Sequence, residues 1–190
     1  MLHTALKGPR VRLEPLEARH EDELWEVAQD ERVWTLMRIS GHESRELFHE
    51  WFESVDLGFL HYFDDALVGH TSFLNHRPAD RSVEIGNTWV NPAAWGTGAN
   101  TEAKYLLLQH AFESEGLLRV EFKTDARNGR SRAALAALPA AFEGVHRKHM
   151  LVRGGERRDS AWYAVLDDEW PLVKANLERR LADVGLSPAG

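Results

Sequence analysis

A chain of 190 residues, 43% apolar and 28% charged, has room for one well-filled core and the composition of a soluble globular protein, which sets aside disordered and membrane-spanning classes. It has no cysteine, so there is no disulfide framework, no thiolate metal site and no mechanism that parks an acyl group on a protein thiol. The formal charge is -7 and basic residues cluster only in short groups such as Arg127 to Arg132 and Arg147 to Arg158, which argues against a nucleic-acid partner and for cationic substrates, with room for a local basic pocket that takes a phosphorylated cofactor.

No stretch approaches the roughly 20 apolar residues of a membrane-spanning helix, and Met1 to Arg12 lacks the apolar core of a secretory signal. A cytoplasmic protein without a membrane partner is the expectation. In chain order, Val11, Leu13 and Leu16 mark a strand, Ala18 to Gln29 a helix, and Glu43 to Ser54 a second helix with Leu47, Trp51 and Phe52 on one face. Period-two runs follow at Phe59 to Phe63, Leu67 to Phe73 and Val83 to Val90, joined by Asp64-Asp65 and a polar loop over Asn75 to Asp80; they predict an antiparallel meander.

After Asn91-Pro92 the pattern alternates: helix over Gly98 to Ser114, strand over Arg119 to Thr124, helix over Ser131 to Leu138, then strands at Ala141 to His149 and Ala161 to Leu166 around Gly154-Gly155. Asp168 to Leu181 closes the chain as a helix with Pro171 in its first turn. This order predicts an α+β, mixed α/β layer with helices on a curved sheet, in a single domain over 1–190.

The informative stretch is Glu84 to Ala103, EIGNTWVNPAAWGTGANTEA, in which a strand crosses a small-residue turn and enters a helix near Gly98. Such a junction aims backbone N–H groups at one spot at the positive end of a helix dipole, a receptor for phosphate. Gly96 and Gly98 let the backbone approach an anion, and Thr97 and Thr101 add hydroxyls. A nucleotide P-loop would need Gly-Lys-Ser/Thr where Gly98 is followed by Ala99 and Asn100, and a dinucleotide fingerprint would need a third glycine where Thr101 stands.

The run from Glu84 through Gly98 to Ala103, with Asn128, Ser131 and Phe142-Glu143-Gly144, resembles the GCN5-related N-acetyltransferase (GNAT) superfamily, over nearly the whole chain. Within it, the Trp95-Gly96-Thr97-Gly98 turn and Thr101-Glu102-Ala103 are similar to the ribosomal-protein-alanine acetyltransferase (RimJ/RimL-type) branch. The resemblance implies a GNAT fold, a curved and mostly antiparallel sheet whose central strands splay apart, and acetyl-CoA as co-substrate with no metal. The acyl-CoA signature Gln/Arg-X-X-Gly-X-Gly/Ala falls on Trp95, Gly96, Thr97, Gly98, Ala99 and Asn100, of which Gly98 keeps the pattern while Trp95 and Asn100 depart from it. By the same resemblance Thr88, Trp89 and Val90 lie beside the pantetheine arm and Asn128 bonds it or its neighbour. Pro139 stands where relatives often carry glycine.

Amide formation needs a neutral amine, a polarised thioester carbonyl and a destination for a proton. Glu84 is the candidate base: it matches a family position where glutamate serves so in some members, and strict alternation would put it on one face with Gly86, Thr88 and Val90. Its competing role is a solvated strand carboxylate or an ion pair. The tyrosine many relatives use as acid, seven residues after the asparagine, is Leu135 here. Ser131 matches a serine proposed as donor in the RimL-like branch, against a competing role as helix cap at Ser131 to Leu138, and solvent is the third source of a proton. A backbone N–H near Val90 is the expected oxyanion donor.

His70, His76, His146 and His149 show no metal spacing, and Trp89 and Trp95 fit either the core or a cofactor channel. The expected activity is acetyl transfer from acetyl-CoA to a primary amine, a protein N-terminal α-amino group foremost. A small-molecule amine, another acyl donor such as succinyl-CoA, and a noncatalytic acyl-CoA-binding module are the alternatives. A homodimer contact would use the final strands or the Asp168 to Leu181 helix.

Overall fold

The structure is a computed structural model that describes residues 1–186. Eight strands form one sheet in the order β1-β2-β3-β4-β5-β6-β8-β7: β1 Leu6–Lys7, β2 Val11–Pro15, β3 Leu57–Phe63, β4 Ala66–Arg77, β5 Ser82–Val90, β6 Arg119–Asp125, β7 Ala141–Val152 and β8 Glu156–Leu166. Neighbours run antiparallel except β5 and β6, which are parallel. This is the α+β layer of helices on a mixed sheet that the meander and the alternating second half predict.

The sheet has two helical faces. On one lie α1 Glu21–Val27, α2 Glu31–Trp34 and α3 Arg45–Glu53, whose Leu24, Trp34, Phe48 and Trp51 pack on Leu60, Tyr62 and Trp89. On the other lie α4 Ala99–Gln109, α5 Gly129–Ala137 and α6 Trp170–Asp183, whose Leu107, Leu135 and Leu177 pack on Phe59, Phe73, Val83 and Phe122. Pro171 sits in the first turn of α6, where its missing N–H costs nothing.

Several boundaries differ from the sequence expectation. The first helix is a 3-10 turn at Ala18–His20 followed by α1, and α2 is a separate turn capped by Asp30, whose side chain accepts from Arg32 N at 3.0 Å. The expected loop over Asn75 to Asp80 is shorter, because β4 continues to Arg77. The last turns of the long helix widen into a π-turn at His110–Ser114, and β7 and β8 extend to a tip at residues 153–155. That hairpin reaches across the sheet: Arg153 donates from its backbone to Arg38 O and from its side chain to Met37 O.

Candidate active site

The site begins where β5 leaves β6. The two strands pair only at Ser82, Val83 and Glu84 with Arg119, Val120 and Glu121, and beyond Glu84 a gap opens between them. On the other edge of β5, Ser72 faces Gly86 while His70 faces Trp89, so β5 carries an extra residue there, a β-bulge. Asn87 takes φ +48° at this point. The bulge bends β5 away from β6 and reverses its alternation.

That reversal corrects the expected face of Glu84. Glu84 and Gly86 point to the side of α1–α3, but Thr88 points to α4, where its hydroxyl bonds Thr71 at 2.8 Å and accepts from Lys104 Nζ at 2.9 Å. Trp89, not Thr88 or Val90, shares the Glu84 face; its indole is buried against Trp34 and Trp51 and does not line the gap. Only the backbone of Trp89 remains to meet a ligand in the opening.

The backbone of Val90, the expected position of an oxyanion donor, faces away from β4. Asn91 N donates to Val68 O at 2.7 Å, toward β4. Strand N–H groups alternate between edges, so the N–H of Val90 points away from β4 into the gap. The carbonyl of Val90 is already used, accepting from Trp95 Nε1 at 2.8 Å.

The turn into α4 forms at the head of the gap. Gly96 and Gly98 have φ +78° and +93°, a conformation that side-chain-bearing residues rarely adopt, and Gly98 is the N-cap of α4. A Cβ at Gly98 would also lie 2.9 Å from Leu186 Cδ1 and 3.0 Å from Val184 Cγ2. The first helical bond runs from Glu102 N to Gly98 O at 2.9 Å, so the N–H groups of Asn100 and Thr101 have no carbonyl four residues back within the helix and make no hydrogen bond among the described residues, which suits them to an anion. Ala99 N is held by Thr97 Oγ1 at 3.3 Å, while that hydroxyl donates to Ala94 O at 2.8 Å. Thr97 is thus spent on shaping the turn and is not the expected free hydroxyl donor.

Cations gather beside this turn. The Arg130 guanidinium lies 3.4 Å from the Trp95 ring centroid, and that of Arg32 lies 5.6 Å from it. Glu102, buried in the first turn of α4, accepts from the backbone N–H groups of Arg10 and Val11 at 3.0 Å each and ties the helix to β2. The cradle suits a diphosphate by its backbone and by Arg130. A phosphorylated cofactor's arm can then run down the gap toward Val90.

The helix cap falls to Asn128 and not to Ser131. The cap of α5 is Asn128, whose Oδ1 accepts from Ser131 N at 3.0 Å, and Ser131 lies inside the helix and caps nothing. The Asn128 amide nitrogen and the Ser131 hydroxyl make no hydrogen bond among the described residues.

Across the sheet, Glu84 is 1% exposed and is held through one oxygen: Oε2 accepts from Asn75 Nδ2 at 2.8 Å and from Lys123 Nζ at 3.2 Å. Its Oε1 has no hydrogen-bond partner among the described residues, leaving one lone-pair-bearing oxygen for a substrate proton. Around it stand Trp162, with Lys123 Nζ 5.1 Å from its ring, and His146 and His149, whose rings lie 5.0 and 5.6 Å from that of Trp162. Burial, followed by the charge of Lys123, lowers the His149 pKa.

Lys104 and Lys123 are absent from the sequence-derived site. Lys104 has no carboxylate partner within ion-pair distance among the described residues, and burial pushes its pKa down to about 7. Nearby His61 is fully buried with neither ring nitrogen partnered; burial first and the Lys104 charge second push it down to about 3. No group of three or more His, Asp and Glu residues among the described residues could hold a metal ion, and no helix of the described chain is long and apolar enough to cross a membrane.

The family model described as an acetyltransferase (GNAT) domain matches residues 10–139. The chain belongs to the GNAT family. An N-acetyltransferase of Bacillus subtilis (strain 168), YnaD, uncharacterized in function, is 30% identical over 108 residues, which are 56% of this chain and 61% of YnaD, so the match spans less than two thirds of that relative. A GCN5-related N-acetyltransferase from Brucella melitensis superposes with TM-score 0.86 at 32% identity over 93% of this chain and 85% of that one. Mycobacterium smegmatis RimJ, solved in complex with CoA-disulfide, superposes with TM-score 0.73 at 25% identity over 96% of this chain and 93% of RimJ.

Proposed function

We propose that this chain transfers the acetyl group of acetyl-CoA to a primary amine. The observation that carries the reading is the gap between β5 and β6, with free helix N–H groups at its head, the Val90 N–H inside it and the Glu84 carboxylate on the far face of the same strand. When bound, acetyl-CoA supplies an activated acyl carbonyl. Asn100, Thr101 and Arg130 grip the diphosphate, with Trp95, Gly96, Thr97, Gly98 and Ala99 shaping the turn; Thr88, the Trp89 backbone and Asn128 flank the arm.

Glu84 takes the proton of the ammonium at Oε1 while Asn75 and Lys123 hold Oε2 still. Val90 N–H donates to the carbonyl oxygen as negative charge develops there. Ser131 or Lys104 returns a proton to the leaving thiolate, and Lys104 is the one beside Thr88 with a pKa pushed to about 7.

For the acceptor we favour a protein N-terminal α-amino group, as in the RimJ/RimL branch, working in the cytoplasm. Its pKa of about 7.7 to 8.0, against about 10.4 for a lysine side chain, makes one carboxylate sufficient to deprotonate it. The test is mass spectrometry of peptide libraries and amine pools incubated with the protein and several acyl-CoAs. Acetylation of peptide N-termini in wild type and its loss in Glu84→Gln, with acetyl-CoA binding kept, is the expected result. Cofactor binding without acylation of any amine would establish the noncatalytic module instead.

A further inference from the structure

Arg158 is a buried cation with no carboxylate within ion-pair distance among the described residues, although the charges of Asp125 and Glu84 reach it from farther off. The residue is 8% exposed, makes no ion pair or side-chain hydrogen bond among the described residues, and its Nε is sealed from solvent with no acceptor. The carboxylate that should serve it is spoken for: Asp125 accepts from Arg127 Nε at 3.0 Å, from Arg127 Nη2 at 2.8 Å and from the Arg127 backbone at 2.9 Å. Glu84 is likewise paired to Lys123.

Arg158 lies on the Glu84 side of the sheet. Ser160 pairs with Asp125 at the end of β6, so Arg158 sits one step of alternation past that end, where the gap is open. Along the same face of β8, Ser160 bonds His149 Nδ1 at 3.0 Å, and Trp162 has a second sealed donor, its Nε1, with no acceptor. The charges of Glu84 and Arg158 both act on His149, so the three groups share one cleft. Nearby in the chain, Arg153 ties the residue 37–38 segment to the β7–β8 tip.

A buried, unpaired guanidinium is costly, and the cost is offset when a ligand brings an anion with two planar oxygens. We infer that the acceptor amine carries a carboxylate, and that Arg158 binds it and sets the preference for it. The carboxylate is the main-chain one of a free amino acid or the side chain of an acidic residue near a peptide N-terminus. The inference rests on the amine-acetyltransferase reading of the Glu84 cleft.

The experiment uses the full chain as wild type, Arg158→Met and Arg158→Lys, with acetyl-CoA and matched amine pairs. One set is free amino acids against their amides; the other is short peptides beginning with Asp or Glu against their Asn and Gln counterparts. Release of CoA thiol gives the rates. Wild type should favour the carboxylate member about tenfold or more in kcat/KM, chiefly through KM, in one set, and that set identifies the source.

Arg158→Met should erase the preference and Arg158→Lys restore part of it, while acetyl-CoA affinity by calorimetry stays within about twofold. Equal rates for carboxylate and amide in wild type, a preference surviving in Arg158→Met, or a lost acetyl-CoA affinity in that variant overturns the inference. If no amine is acetylated, the enzyme reading fails and the same panel is read by melting temperature. The carboxylate members should then stabilise wild type and leave Arg158→Met unmoved, and no such shift overturns the inference as well.

Discussion

Trp95 Nε1 donates to the carbonyl of Val90 at 2.8 Å, so one hydrogen bond joins the glycine turn before α4 to the residue whose N–H faces the strand opening. The indole also carries Arg130 on its ring at 3.4 Å. Replacing a signature Gln/Arg with tryptophan therefore leaves the turn with a cation, delivered from α5.

Arg130→Met should weaken acetyl-CoA binding about tenfold at low salt and by less as salt rises, since the lost partner acts largely through charge. Trp95→Phe, which keeps an aromatic ring but loses the Val90 bond, should lower the transfer rate more than the affinity. Calorimetry at two salt concentrations and steady-state kinetics measure both.

Asn128 has one amide end in the α5 cap and the other free. Asn128→Asp keeps the capping oxygen and should melt close to wild type, yet bind acetyl-CoA less tightly because the donor is gone. Asn128→Ala should lose about 0.5–2 kcal/mol of stability in addition. An Asp variant with unchanged affinity would make this residue a cap alone.

Burial holds the Lys104 pKa at about 7 against 10.5 in the unfolded chain. Between those values the unfolded state carries a proton that the folded state has released, so this group's penalty on stability is full below pH 7 and fades as pH rises toward 10.5. Lys104→Met should melt above wild type at pH 6, with the advantage shrinking by pH 9 to 10. A difference that is constant with pH would show that the ammonium is solvated.

His61 and His70 are buried neutral, pushed down mainly by burial to about 3 and about 4 from 6.5. Their folded pKa values are depressed, so the stability they contribute is present above about pH 6.5 and drains as pH falls toward 4. Thermal melts from pH 7 to 4 should show a steep loss, flattened in His61→Leu, which removes one of the two proton acceptors. An equally steep loss in that variant would assign the acid transition to other groups.

Much of this architecture is legible in the sequence because local signals and tertiary outcome agree. Period two over Phe59 to Val90 becomes β3, β4 and β5, and the Gly96 and Gly98 letters foretell the positive φ values that the turn requires. The site's second half is hidden for physical reasons. The bulge at Asn87 has no stronger local mark than a residue tolerant of left-handed backbone, yet it turns Thr88 away from Glu84 and toward Lys104.

Lys104 reads as one polar position in a helix until the sheet closes over it. Arg158 closes the basic group Arg147 to Arg158, whose pattern does not tell which of its cations is buried. The same β7–β8 hairpin carries Arg153 against Met37, 116 residues away, a contact that no local pattern encodes.

The measurement that bears most directly on the account is a crystal structure of the chain grown with CoA. Diphosphate oxygens within hydrogen-bond distance of the Asn100 and Thr101 N–H groups, with the sulfur in the opening next to Val90, is the predicted result. A diphosphate bound at any other surface, or a sulfur on the far side of β5 from that opening, would contradict it.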